Sequence, residues 1–124
     1  MSLETAVYDI LAAVSPGVKA YADTFEQPDG SLPAWPAIRY ALVSSESADD
    51  ICGSGTEDTD DVRIQVDVVA KTSAERVTLR AQVRAAMQAG AIPVLFAGVR
   101  NEYDYETKTF RSSQDFILYQ STPP

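Results

Sequence analysis

Val62-Arg63-Ile64-Gln65-Val66-Asp67-Val68-Val69-Ala70-Lys71 runs directly into Thr72-Ser73-Ala74-Glu75, and this junction decides the fold. Residues 62, 64, 66, 68 and 70 are apolar while 63, 65, 67 and 71 are polar or charged, so a period of two predicts a strand. One face belongs to a core and the other is mostly polar, the pattern of an antiparallel sheet covered on one side. Thr72 and Glu75 have the spacing of a capping box, in which a hydroxyl and a carboxylate satisfy amides at a helix start. The helix is expected to reach about Ala89, with Gly90 as its C-cap and Pro93 preventing continuation.

Upstream, Ile38, Tyr40 and Leu42 alternate with Arg39, Ala41 and Val43 and predict a strand, entered through the stiff segment Pro33-Ala34-Trp35-Pro36. Leu3, Ala6, Val7, Ile10, Leu11 and Val14 form one helical stripe, capped by Ser2 and stopped at Ser15-Pro16-Gly17. Between Val18 and Pro36 no period survives, and Pro28-Asp29-Gly30 marks a turn. Downstream, Ala91 to Gly98 reads as a buried connection or a small strand. Val99 to Tyr105 and Thr109 to Tyr119 predict a hairpin around Glu106-Thr107-Lys108. The expected fold is α+β: two helices packed on one face of a mainly antiparallel sheet, in the order α-β-β-α-β-β. A single domain over 1–124 is expected, with a flexible acidic loop at 44–61 between the first two strands and a tail at 120–124.

Composition limits the chemistry. The 124 residues hold 18 Asp and Glu, 10 Lys and Arg, no histidine and one cysteine, for a net charge of -8. A chain of this size buries a core without disulfides or metal. Its acidity disfavours binding to nucleic acid or to an anionic membrane surface. Without histidine there is no Ser/His/Asp or Cys/His catalytic set and no His-based zinc site. Cys52 has no partner for an intrachain disulfide, which fits a reducing compartment or a protein indifferent to redox state, and no nearby base to activate it. Met1 to Val14 lacks the basic start and the continuous apolar run of a secretory signal.

The charge is unevenly distributed. Glu46, Asp49, Asp50, Glu57, Asp58, Asp60 and Asp61 place seven acids between residues 46 and 61 with no base among them, whereas residues 62–124 carry a net +2. No register of this stretch supplies the ligand spacing of an EF-hand, so no metal site is expected. A solvated loop that orders on meeting a partner fits better. Arg76, Arg80 and Arg84 recur every four residues along the second helix, between Leu79, Val83 and Met87 on one edge and Val77 and Ala81 on the other. Such a stripe reads as a phosphate site or, more commonly, as a solvated face whose aliphatic stems cover the core. Its width also suits a helix touching both its own sheet and a neighbouring subunit, with the acidic stretch as the complementary charge. Trp35 is either a lid on the core edge or an exposed anchor. Asp67 and Asp115 lack a supporting catalytic group, so no catalytic residue and no cofactor are expected.

Several segments together resemble the tail-completion, or tail-terminator, proteins of long-tailed phages and prophages. They are Trp35-Pro36-Ala37-Ile38-Arg39-Tyr40-Ala41-Leu42-Val43-Ser44, the strand Val62 to Ala70, the helix from Ala74 to Met87 with Val83-Arg84-Ala85-Ala86, and Tyr103-Asp104-Tyr105-Glu106-Thr107-Lys108 followed by Arg111 and Asp115-Phe116. Arg63-Ile64-Gln65-Val66-Asp67-Val68 is the most characteristic part, and Val69 departs from the aromatic residue often found there. The resemblance implies a structural protein without catalytic residues. It would form a ring, usually a hexamer, on the head-proximal end of the tail tube, stop tube growth and present the surface that joins the head. Its partners would be copies of itself, the tail tube protein and a head connector or neck protein, first in the host cytoplasm and then in the virion. The competing readings are another neck or head-completion component and an acidic DNA mimic. The mimic is disfavoured because the carboxylates crowd one stretch instead of following an extended phosphate-like spacing.

Overall fold

The computed structural model describes residues 3–15, 18–26, 28–47, 59–90 and 94–121. The elements are α1 (Leu3–Ala12), β1 (Lys19–Ala22), β2 (Ala37–Ser47), β3 (Thr59–Ala70), α2 (Ser73–Ala89), β4 (Val94–Asp104) and β5 (Thr109–Ser121). The strands form one sheet in the order β1-β2-β3-β5-β4. β1 runs parallel to β2, and every other pairing is antiparallel.

The expected α+β architecture is observed, with both helices contributing to one core. Val62, Ile64, Val66 and Val68 of β3 are buried together with Ile38 and Tyr40 of β2 and Phe116 and Leu118 of β5. Val7 and Leu11 of α1 and Leu79, Val83 and Met87 of α2 close over them. Each such side chain contributes about 1.5–3 kcal/mol of burial free energy. The α1 stripe is thus read correctly, and the helix ends through i→i-3 bonds from the amides of Ala13 and Val14 to the carbonyls of Ile10 and Leu11. Its proposed cap Ser2 and stop residues Pro16 and Gly17 lie outside the described residues.

At the start of α2 the Thr72 hydroxyl accepts from the Glu75 amide at 3.1 Å, as the capping box requires. The Glu75 carboxylate reaches back one residue further than expected, to the amide of Lys71 at 3.4 Å. Gly90 does cap the helix, but with extended backbone (φ -69°, ψ 168°) instead of a left-handed turn. A Cβ there would lie 2.9 Å from Ile10 Cδ1, the movable end of that side chain, so α2 ends close beside α1.

Four local readings change. A short strand, β1, lies within the stretch where no period was found; four residues are too few to set up a recognisable alternation. Val94 to Gly98 is the first part of an 11-residue strand, broken by a bulge between Phe96 and Gly98, which is why its parity with the rest of β4 is lost. The segment read as loop from Ser44 to Asp61 is strand at both ends, since β2 continues to Ser47 and β3 begins at Thr59. Ser44 to Ser47 pair with Arg63 to Asp60 after a register shift at Leu42. Ladder bonds come from the backbone, so a polar sequence does not end the pairing.

The fourth concerns the face of the sheet opposite the helices, which is less polar than the alternation suggested. Phe25, Ala37 and Val69 form a second buried cluster there, with Tyr21 and Trp35 packed against it. The segment leaving β1 crosses to this side before β2 begins, and Phe25 edges onto both Tyr21 and Trp35 at centroid distances of 6.1 and 5.1 Å.

Candidate interaction surface

The Arg stripe of α2 does not stand free in solvent. Arg76 lies over the Phe110 ring of β5, with Cζ 5.5 Å from the centroid, and Arg84 lies over Phe96 of β4 at 3.9 Å. Between them Arg80 donates from Nη1 to Asn101 Oδ1 on β4 at 3.1 Å. Spacing by four keeps the three guanidinium groups on one flank of the helix, and that flank overhangs β5 and β4. Leu79, Val83 and Met87 are buried beside it, whereas Val77 and Ala81 on the outer side are exposed.

A polar seam takes over where the apolar core stops. Ser112 on β5 donates its hydroxyl to Asn101 Oδ1, and Gln114 donates from Nε2 to the Arg80 carbonyl at 3.1 Å. Gln114 is fully buried and its Oε1 has no partner. Among the described residues the ion pairs are Arg39–Asp67 and Arg100–Glu102, so Arg76, Arg80 and Arg84 have no carboxylate partner there.

β4 is the last strand of the sheet, and among the described residues its outer edge pairs with nothing. Leu95, Val99 and Tyr103 along it are 40–49% exposed. Along these eleven residues the backbone donors and acceptors that point away from β5, those of alternate residues, are a template for another strand. Beyond it projects the β4–β5 turn, where Tyr105 is 83% exposed. Tyr105 edges onto Tyr103 and Tyr103 onto Phe110, both at 4.9 Å between centroids, so the aromatic row continues to Arg76. The turn is held by Asp104 Oδ1, which accepts from the amides of Glu106 at 2.9 Å and Thr107 at 3.4 Å. Those bonds, the Glu106 one foremost, hold the Asp104 carboxyl below the usual carboxylate range. In the Pro28-Asp29-Gly30 turn, the Ser31 hydroxyl lowers Asp29 in the same way.

Trp35 takes the first of its two expected places: it is half-buried edge-on against Phe25, a lid on the smaller cluster. Of the seven clustered acids, Asp49, Asp50, Glu57 and Asp58 lie outside the described residues. Glu46 pairs in register with Asp61, and Asp60 with Ser47, so the strand ends bring these three positions together at one end of the sheet. The β4–β5 turn is at the other end, since Ala70 pairs with Phe110 and Thr59 with Ser121.

Asp67 and Asp115 do not converge. Asp67 is fully buried, paired with Arg39, and also accepts from Gln65 Nε2 at 3.0 Å. Asp115 lies opposite Gln65, in a depression that Arg100 and Ser113 share and Asp67 does not. The sequence reading missed Arg39 as the partner of Asp67; strand alternation at both residues placed them on the polar face, and that was the available signal. It also missed the open edge of β4, because exposure at Val99 and Tyr103 depends on strand order, which local sequence does not specify.

A family model described as tail completion protein gp17 matches residues 5–121. Among solved structures, a chain from "Virion of native gene transfer agent (GTA) particle" is similar at 17% identity, with a TM-score of 0.55, over 95% of this chain and 93% of that one. At that identity the likeness bears on the fold. None of the curated protein sequences compared with the chain matches it.

Proposed function

Since this chain belongs to the tail completion protein gp17 family, a family of phage tail structural proteins, we propose that it caps the head-proximal end of the tail tube. There it ends tube polymerisation and forms the surface onto which the head is joined. The observation that carries this reading is the extent of the family match. Residues 5–121 take in the whole sheet, both helices apart from the first two residues of α1, the Arg stripe and the open β4 edge. Copies of the chain form a ring, usually of six, and meet the tail tube protein on one side and a head connector on the other. The work is structural and not enzymatic. It is done during assembly in the host cytoplasm and persists in the finished particle.

The fold supports this reading. A five-stranded sheet covered by two helices on one face and by the Phe25–Trp35 segment on part of the other leaves the β4 edge and the turns for contact with neighbours, the usual division between scaffold and contact surface. Deleting the gene from an inducible prophage and imaging the lysate tests it. Loss of a terminator leaves tails of abnormal length. Normal tails beside leaky heads would instead identify a head-completion component and overturn the proposal.

A further inference from the structure

We propose that the channel between the outer edge of β4 and the Arg flank of α2 receives a second copy of this chain, through the acidic end of that copy's β2–β3 ribbon. This deepens the assembly reading and rests on it for the premise that copies meet. Three observations converge on the channel. Its floor is the outer edge of β4, in regular register with β5 from Val99 to Asp104 once past the bulge at Gly98. An extended segment added there satisfies backbone groups that otherwise face solvent. Its lining is apolar where an incoming strand's side chains would rest: Val77 is 43% exposed, Val99 45% and Tyr103 40%.

The third observation is charge. Arg80 and Arg84 flank the channel on the helix side without a carboxylate partner among the described residues. Aromatic and amide contacts hold Arg80 and Arg84 in place, which lowers the entropy cost of engaging a carboxylate. The chain's own surplus of carboxylates fits: residues 46–61 carry seven acids and no base, and the register sets Glu46 beside Asp61 at the end of β2, beyond the stretch that β1 pairs, with β5 on the far side of Asp60 and Asp61. Channel and ribbon end are different parts of the surface, so the contact is head-to-tail and each copy offers both halves.

The test is cross-linking of the purified full-length chain in a Cys52→Ser background. One cysteine is placed in the ribbon, Ser47→Cys, and one in the channel, Val99→Cys, an exposed position whose substitution leaves the core untouched. A short bismaleimide should give a ladder of covalent oligomers about tenfold above that of Ser47→Cys with Ala22→Cys on the opposite sheet edge, as charge-steered contact demands. Arg80→Glu with Arg84→Glu should reduce the ladder to the control level, and adding Asp60→Arg with Asp61→Arg should bring it back. Circular dichroism confirms that each variant is folded. A ladder no stronger than the control, a cross-linked product confined to single chains, or a charge reversal without effect would each overturn the proposal. The tail-length phenotype is independent of all three, so the channel can fail while the terminator reading stands.

Discussion

Replacing Arg39 by methionine tests the largest polar commitment in the fold. Asp67 has no exposed surface, and its carboxylate is engaged by Arg39 and by Gln65 Nε2; the Arg39 side chain is 26% exposed. Methionine keeps the aliphatic length but removes the countercharge, which leaves a buried carboxylate with one neutral donor. Breaking such a pair costs about 3–5 kcal/mol, and the partial exposure of Arg39 places the expectation at the lower figure. With an unfolding entropy of about 2.1 cal/mol/K per residue, a 124-residue chain loses roughly 12 °C in Tm for that ~3 kcal/mol. Arg39 Nη1 also donates to the Asp23 carbonyl at 3.2 Å, at the start of the segment that carries Phe25 and Trp35. The single tryptophan therefore reports locally, and its emission should shift to the red in the variant below its melting point. Calorimetry gives the Tm, and fluorescence the local effect. The double variant Arg39→Met with Asp67→Val should recover to within about 1 kcal/mol of the parent, because a buried pair is commonly worth no more than well-packed apolar residues. A single variant that melts within about 4 °C of the parent, or a double variant as unstable as the single, would refute this account of the pair.

Two further outcomes follow from the caps and turns. Thr72→Ala removes the acceptor of the Glu75 amide and should lower stability by about 1 kcal/mol, or ~4 °C in Tm, while Thr72→Ser should be close to neutral. The Asp104 carboxyl is lowered by the turn amides, so the folded form favours the ionised group. Its contribution is complete above the ordinary carboxylate pKa and is lost as pH falls through the lowered value, and Asp104→Asn should abolish that acid-limb dependence. Titration of the Glu106 amide resonance by NMR measures the midpoint; a midpoint at or above 3.8, the ordinary value, would contradict the turn geometry.

The central layers were legible because their residues repeat. Val62 to Val68 and the Leu79, Val83 and Met87 stripe each report burial through a fixed period, and Thr72 with Glu75 marks the helix start. The opposite sheet face was harder to read. Val69 is buried there because Phe25 arrives from a segment with no period of its own, so nothing near it announces the cover. The same limit applies to the Arg stripe. Its spacing was evident, and so was the choice between a solvated face and a shared one. That Arg84 rests on Phe96 and Arg76 on Phe110 depends on β5 lying between β3 and β4, a fact of topology.

The same strand order governs when the protein becomes usable. β3 finds its β5 partners between 40 residues away, for Ala70 with Phe110, and 62 residues away, for Thr59 with Ser121. Phe116 and Leu118, near the end of the chain, complete the core that Val7 and Leu11 enter from the beginning. Long closures of this kind slow folding and leave few stable sub-assemblies along the way. The chain therefore emerges from the ribosome without its central sheet and completes it only after β5 has been released. A product truncated within β5 would lack the floor on which both α2 and β4 sit, so incomplete chains could not compete with finished ones for a place in the particle.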